Sequence, residues 1–169
     1  RSDVTKNMEK ESFVDASVNG HSDFKQGIAI RKAGNEYGAT TGRPRRVGWL
    51  DLPLLRHAIK YNGPNIILTK LDVLDDCDII KVCSEYKYTG SDYNSGQKTT
   101  GFRDVVKTAI PKAEVLKHCE PVYKEFEGWK TDITGIRKFE DLPGKLIELC
   151  RYISVETDTN IRVLSVGAD

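Results

Sequence analysis

Short apolar runs alternate with polar, glycine-rich stretches along the chain. The first run, "GIAIRKAG" at residues 27–34, predicts a short strand closed by glycine. "LDLPLLRHAIKYNG" places Leu54, Leu55, Ala58 and Ile59 at helical spacing. Asp51 stands at its N-cap, Pro53 in its first turn, and Gly63 and Pro64 at its stop. "NIILTKLD" opens with unbroken apolar residues, the pattern of a strand covered on both faces. "DIIKVCSEYKY" at 78–88 alternates and predicts a second strand, and "TGSDYNSGQKTTG" is a turn-rich connection. "PKAEVLKHC" at 111–119 reads as a short helix with Pro111 near its start, and "EPVYKEFEGW" as a strand. "LPGKLIELCRYISVETDTN" predicts a longer helix with Leu146, Leu149, Cys150 and Ile153 on one face, and "IRVLSVG" a closing buried strand. Residues 1–26 form a polar lead-in without sustained periodicity, read as an insertion or a disordered segment. The alternation predicts an α/β fold, its sheet partly parallel and flanked by helices.

Length and charge narrow the possibilities. A chain of 169 residues suits one domain, with or without an appendage. Its 26 basic residues nearly balance 25 acidic ones. That balance argues against a broad electrostatic grip on nucleic acid or an anionic membrane, so any anion binding must be local. No apolar run approaches the length of a membrane span, and "RSDVTKNMEK" lacks the apolar core of a secretory signal. Cys77, Cys83, Cys119 and Cys150 match neither a zinc motif nor a redox pair, and read as reduced thiols of a cytoplasmic protein. His21, His57 and His118 read as structural or solvated.

Two features carry candidate chemistry. In "GNEYGATTGRPRRVGW", residues 34–49, Gly38 and Gly42 permit positive φ and close backbone approach. Thr40 and Thr41 add hydroxyls, and Arg43, Arg45 and Arg46 add guanidinium forks that fit oxyanions. Pro44 stiffens the backbone between them. A small-anion site, a basic surface turn and a nucleic-acid patch all remain open at this level. The second feature lies at the carboxyl ends of two predicted strands, where open α/β sheets bind ligands. Lys70 and Asp72 follow one, and Ser165 and Gly167 follow the other. A carboxylate there can accept from guanine N1–H and N2–H, a pair adenine does not offer. A lysine stem can lie across the base, and backbone amides near residues 165–167 can donate to O6.

"GNEYGATTGRPRRVGWLDLPLLRHAI", "NGPNIILTKLDVLDDCDIIKVC", "PVYKEFEGWKTDITGIRKFEDLP" and "IRVLSVGAD" together resemble the adenylosuccinate synthetase family, in the family's order, over most of residues 27–169. The resemblance implies the C-terminal fragment of a P-loop-NTPase-like ligase fold, soluble and cytoplasmic. It implies a GTP- and Mg2+-dependent enzyme that joins IMP and L-aspartate in purine biosynthesis, a homodimer at full length. Ala39, Thr40, Thr41, Gly42, Arg43, Pro44 and Arg45 would form the loop that recognises L-aspartate. Arg43 would also reach IMP. Arg45, Lys70, Leu71, Asp72, Ser165, Val166 and Gly167 would serve GTP. The family's glycine-rich phosphate loop, catalytic aspartate, catalytic histidine and main magnesium ligands have no counterpart here, so no catalytic or metal residue is expected in this fragment. Ala168 stands where the family usually has proline. A guanine-nucleotide module without chemistry and a basic-loop nucleic-acid binder are the alternatives.

Overall fold

The computed structural model describes residues 13–90, 93–94, 99–100, 105–107 and 112–167. Pro111, Ala168, Asp169 and the first 12 residues of the expected lead-in lie outside these. Residues 13–22 dock on the body through Asn19, whose side chain donates to the Asp76 carbonyl at 2.9 Å and accepts from Asp78 N at 2.7 Å.

The strand expected at 27–34 is instead the second half of a helix, α1 (Asp23–Ala33). Its determinants sit upstream of the apolar run. Ser22 caps it by accepting from Lys25 N, Asp23 faces the positive end of the helix dipole, and Arg31 and Lys32 lie in the last turn. Only Ile28 and Ala29 are buried, so no broad apolar stripe advertises the helix. After the arginine loop come β1 (Leu50–Asp51) and α2 (Leu52–Asn62). Asp51 caps α2 through Leu54 N at 2.9 Å, and Gly63 ends it with φ 81°.

Next follow β2 (Asn65–Leu68), a 3-10 turn at Leu71–Leu74, and the long β3 (Ile79–Tyr88). The short β4 (Tyr93–Asn94) and β5 (Thr99–Thr100) pair antiparallel, and β6 (Val105–Val106) pairs with β3. The helix expected at 111–119 is a single turn, α3 (Ala113–Leu116). It leads into β7 (Cys119–Glu127), the strand expected there. A 3-10 turn at Phe139–Asp141, helix α4 (Gly144–Thr157) and β8 (Asn160–Leu164) complete the order.

The sheet is mixed, as alternating helices and strands predict. β3 pairs parallel with β1 and antiparallel with β7 and β6. β2 and β8 form a separate parallel pair. Both were expected to be buried; within this chain each keeps an exposed side, with Ile67 60% and Val163 50% exposed. A strand is covered on both faces only when layers flank both, and here Ile66, Leu68, Ile161 and Leu164 alone pack inward. The α4 residues Leu146, Leu149, Cys150 and Ile153 fill the core with Leu71, Ile80, Val82, Phe126, Trp129 and Ile133. Leu71 thereby pins the turn after β2 to the core.

Candidate functional site

The parallel pairing of β2 and β8 aims their carboxyl ends the same way. Ser165 N donates to Leu68 O at 2.8 Å, and Leu71 N donates to Ser165 O at 3.2 Å. The two turns singled out in the sequence are thus zipped together. Lys70 adopts a left-handed conformation, φ 60° and ψ 39°, which swings the chain from strand into the 3-10 turn. Asp72 then follows with Oδ1 buried and accepting no hydrogen bond from any described residue. A buried acceptor without a donor is costly and calls for an explanation.

The turn rests on Asp75. Its carboxylate accepts from Trp129 Nε1 at 2.6 Å and from Ile133 N at 3.1 Å. Burial pushes the Asp75 carboxyl above the usual range, partly offset by these two donors. Trp129 and Ile133 are core residues, so the turn that carries Asp72 is bolted to the interior.

Each expected site residue has a defined place. The Leu71 side chain is buried in the core. The Ser165 amide is committed to Leu68, whereas those of Val166 and Gly167 make no hydrogen bond to any described residue. The Ser165 hydroxyl donates to Gly167 O at 3.2 Å.

The arginine loop is a tight hairpin. Gly38 N donates to Arg43 O at 2.8 Å and Gly42 N to Gly38 O at 2.9 Å, with Tyr37 and Pro44 bridged antiparallel. Gly42 has the positive φ expected of it, 64°. Gly38 does not: its need is space, since a Cβ there would lie 2.9 Å from Thr41 Oγ1. Ala39, Thr40 and Thr41 form the exposed tip, where backbone N–H groups and a hydroxyl stand open for an anion. Arg43, Arg45 and Arg46 are exposed beside it.

Glu36 joins the two features, and sequence reasoning missed it. One carboxylate oxygen pairs with Lys70 Nζ and the other with Arg45 Nη1 at 3.0 Å. Lys70 Nζ also donates to Gly34 O at 2.7 Å. These partners hold the Glu36 carboxyl below the usual glutamate range, Lys70 foremost and then Arg45. The signal was present as the single acid next to a run of arginines, but the partner Lys70 lies 34 residues away.

The histidines stand elsewhere: His57 packs on Tyr61, His118 against Tyr88, and His21 is exposed. Among the described residues no three His, Cys, Asp or Glu side chains gather as ligands for a cation. No described helix is long and apolar enough to cross a membrane. A cavity of about 590 Å³ lies between residues 136–142, α4 and β8, and meets the site only at Val166.

Comparison with known proteins agrees with the resemblance. A family model described as adenylosuccinate synthetase matches residues 13–169. The adenylosuccinate synthetase of Koribacter versatilis is 43% identical over 145 residues, 85% of this chain and 30% of that protein. That of Thermodesulfovibrio yellowstonii is 42% identical, covering 83% of this chain and 30% of its own length. The solved structure of fully ligated adenylosuccinate synthetase from Plasmodium falciparum superposes with a TM-score of 0.72 at 35% identity, over 88% of this chain and 32% of that one. The chain thus spans about 30% of the length of the curated relatives it matches. With the family model covering all of its described residues, the chain belongs to the adenylosuccinate synthetase family.

Proposed function

We propose that this chain supplies the guanine-reading turn and the aspartate loop of a GTP-dependent ligase that makes adenylosuccinate from IMP and L-aspartate. The observation that supports it best is the unsatisfied Asp72 Oδ1, on a turn hydrogen-bonded to the segment that carries the unbonded amides of Val166 and Gly167. A guanine edge supplies what this site lacks. Its N1–H and N2–H meet the carboxylate, and its O6 accepts from the amides. The Lys70 stem lies along the base while its ammonium stays with Gly34 and Glu36.

In the family reaction, GTP phosphorylates O6 of IMP, and the aspartate amine then displaces phosphate. Phosphoryl transfer needs positive charge around the moving oxygens. Arg45 is assigned to the GTP phosphates and Arg43 to the IMP ribose and the aspartate. Residues 39–42 cradle an aspartate carboxylate with backbone donors and the Thr40 and Thr41 hydroxyls. Guanidinium groups that engage only when ligands arrive would shield the reacting phosphate from water. No three potential metal ligands gather among the described residues, and the magnesium of the family reaction is assigned to no residue of this chain. The proton-transfer groups that act on IMP are likewise assigned to no residue of this chain. A homodimeric, cytoplasmic enzyme completes the proposal.

Thermal unfolding with nucleotides tests the reading, because a ligand that binds only the folded state raises the melting temperature. Stabilisation by GDP but not ADP is expected. Equal stabilisation by both removes guanine recognition. Oligonucleotide binding with a steep salt slope would point to a nucleic-acid loop instead. With IMP, GTP, aspartate and magnesium supplied, no turnover above background is expected from this chain alone.

A further inference from the structure

We infer that Glu36 is a positioning residue that couples the base-reading turn to the arginine loop, holding Lys70 in place while parking Arg45 until an anionic ligand takes it. The inference rests on the assignment of Lys70 and Arg45 made above, and goes beyond it by giving a role to a residue that touches neither ligand.

The backbone geometry makes Glu36 a fixed post. Its N–H donates to Arg31 O at 2.9 Å, just beyond the end of α1, and its carbonyl accepts from Arg45 N at 3.0 Å. Asn35, immediately before it, turns the chain with φ 50°. The side chain is only 24% exposed, against 58% for Arg45 and 52% for Lys70. The acid is therefore anchored and the two cations are the movable partners.

The pairing is selective. Arg43 and Arg46 form no ion pair with any described residue, whereas Arg45, the arginine assigned to the GTP phosphates, does. The Arg45 backbone is clamped on both sides, by Glu36 O through its N–H and by Arg31 Nε on its carbonyl at 2.6 Å. Only its side chain is left to move. An exposed pair of this kind is weak, so a phosphate that offers two oxygens to the guanidinium can displace the carboxylate. Once Arg45 leaves, the Glu36 charge falls wholly on Lys70. Phosphate capture by the loop then tightens the hold on the lysine that flanks the base. Linkage makes this coupling reciprocal.

The test separates the two halves of the ligand. Calorimetry on this chain and on Glu36→Gln uses guanosine, which has a base and no phosphate, and inorganic pyrophosphate, which has the reverse. Glu36→Gln is expected to weaken guanosine and strengthen pyrophosphate, each about two- to fivefold, the range of an exposed charge pair. A loss of fold integrity would shift both in one direction, and that result, or no shift in either, overturns the inference. An NMR titration of the Glu36 carboxyl gives a second readout that a merely structural role would not move. Its pKa should rise on adding pyrophosphate, and an unchanged value also overturns the coupling. If the unsubstituted chain binds neither probe, the site assignment itself fails and the coupling falls with it. If it binds both while Glu36→Gln leaves them unchanged, the assignment stands and the coupling alone is lost.

Discussion

The Leu71 amide donates to the Ser165 carbonyl at 3.2 Å, which ties together the turns that follow β2 and β8 although they lie far apart in the chain. The bond extends the parallel ladder by one step beyond Leu68 and Leu164. It brings the turn that carries Asp72, with its buried Oδ1, against the segment that carries the unbonded amides of Val166 and Gly167. A site assembled this way is positioned by backbone and core, with little dependence on flexible side chains.

That placement makes Asp72 the residue whose chemistry is most exposed to a single substitution. On the proposed reading, Asp72→Asn turns one acceptor into a donor facing the N2–H of guanine. Preference for GDP over IDP, which lacks the 2-amino group, should fall about 5- to 150-fold, since a buried hydrogen-bonding mismatch costs about 1–3 kcal/mol. Competition calorimetry with the two nucleotides measures it. Unchanged discrimination would remove Asp72 from base reading.

Gly128 leads from β7 into Trp129 and tolerates no side chain. A Cβ there would lie 1.7 Å from the Cys77 carbonyl oxygen and 2.8 Å from its carbon, both backbone atoms. Its own N–H is tied to Asp78 O at 2.8 Å, so the strand end cannot slide away. Gly128→Ala should cost about 3 kcal/mol or more, lowering the melting temperature by about 6–12 °C. Because Trp129 buttresses Asp75, the substitution should also weaken GDP binding. A urea midpoint equal to that of the unsubstituted chain would contradict the packing described here.

Much of this was legible in the sequence where the determinants are local. Asp51 at the cap of α2, Pro53 behind it and Gly63 at the end are each read from a few neighbouring residues, and each is found as expected. The facing strand ends followed from a general property of open α/β sheets. The misreading at 27–34 came from starting the window inside the helix, since "IAI" suits either structure and the deciding cap, Ser22, lies outside it. Within this chain β2 and β8 are covered on one face, and an apolar run shows only that residues prefer cover. It cannot say how many layers surround the strand. Glu36 was illegible for a different reason. Its meaning depends on Lys70, and nothing in local periodicity brings the two together.

The four cysteines differ in a way that thiol chemistry can read. Burial pushes Cys77, Cys83 and Cys150 up to about 11. All three are less than 9% exposed, and the thiolate is the reactive form. Cys119 is partly exposed, its thiol raised by burial and donating to Val115 O at 3.4 Å. With Ellman's reagent at about pH 8, near the ordinary thiol pKa, at most one thiol per chain should react before denaturation and four afterwards. Cys119→Ser should abolish the native reaction. Rapid reaction of three thiols in the native protein would mean that the core around α4 and β3 is open.

The same acid that links the two halves of the site sets a pH dependence whose sign is fixed. The Glu36 carboxyl is depressed by Lys70 first and Arg45 next. A carboxyl depressed on folding adds stability above its unfolded pKa, and that stability is lost as pH falls through the folded value. The loss therefore starts near the ordinary glutamate pKa of about 4.3 and is complete only below it. Glu36→Gln removes the charge at every pH, so it mimics the protonated acid. Thermal melts of the two proteins should differ by a constant amount between about pH 6 and pH 8 and draw together below about pH 4. The Lys70→Met chain should show a smaller gap on the same Glu36→Gln background, because the largest partner is already gone. A gap between the parent and Glu36→Gln that persisted undiminished into strong acid would mean that the carboxylate charge, and hence its two ion pairs, contributes nothing to the folded state.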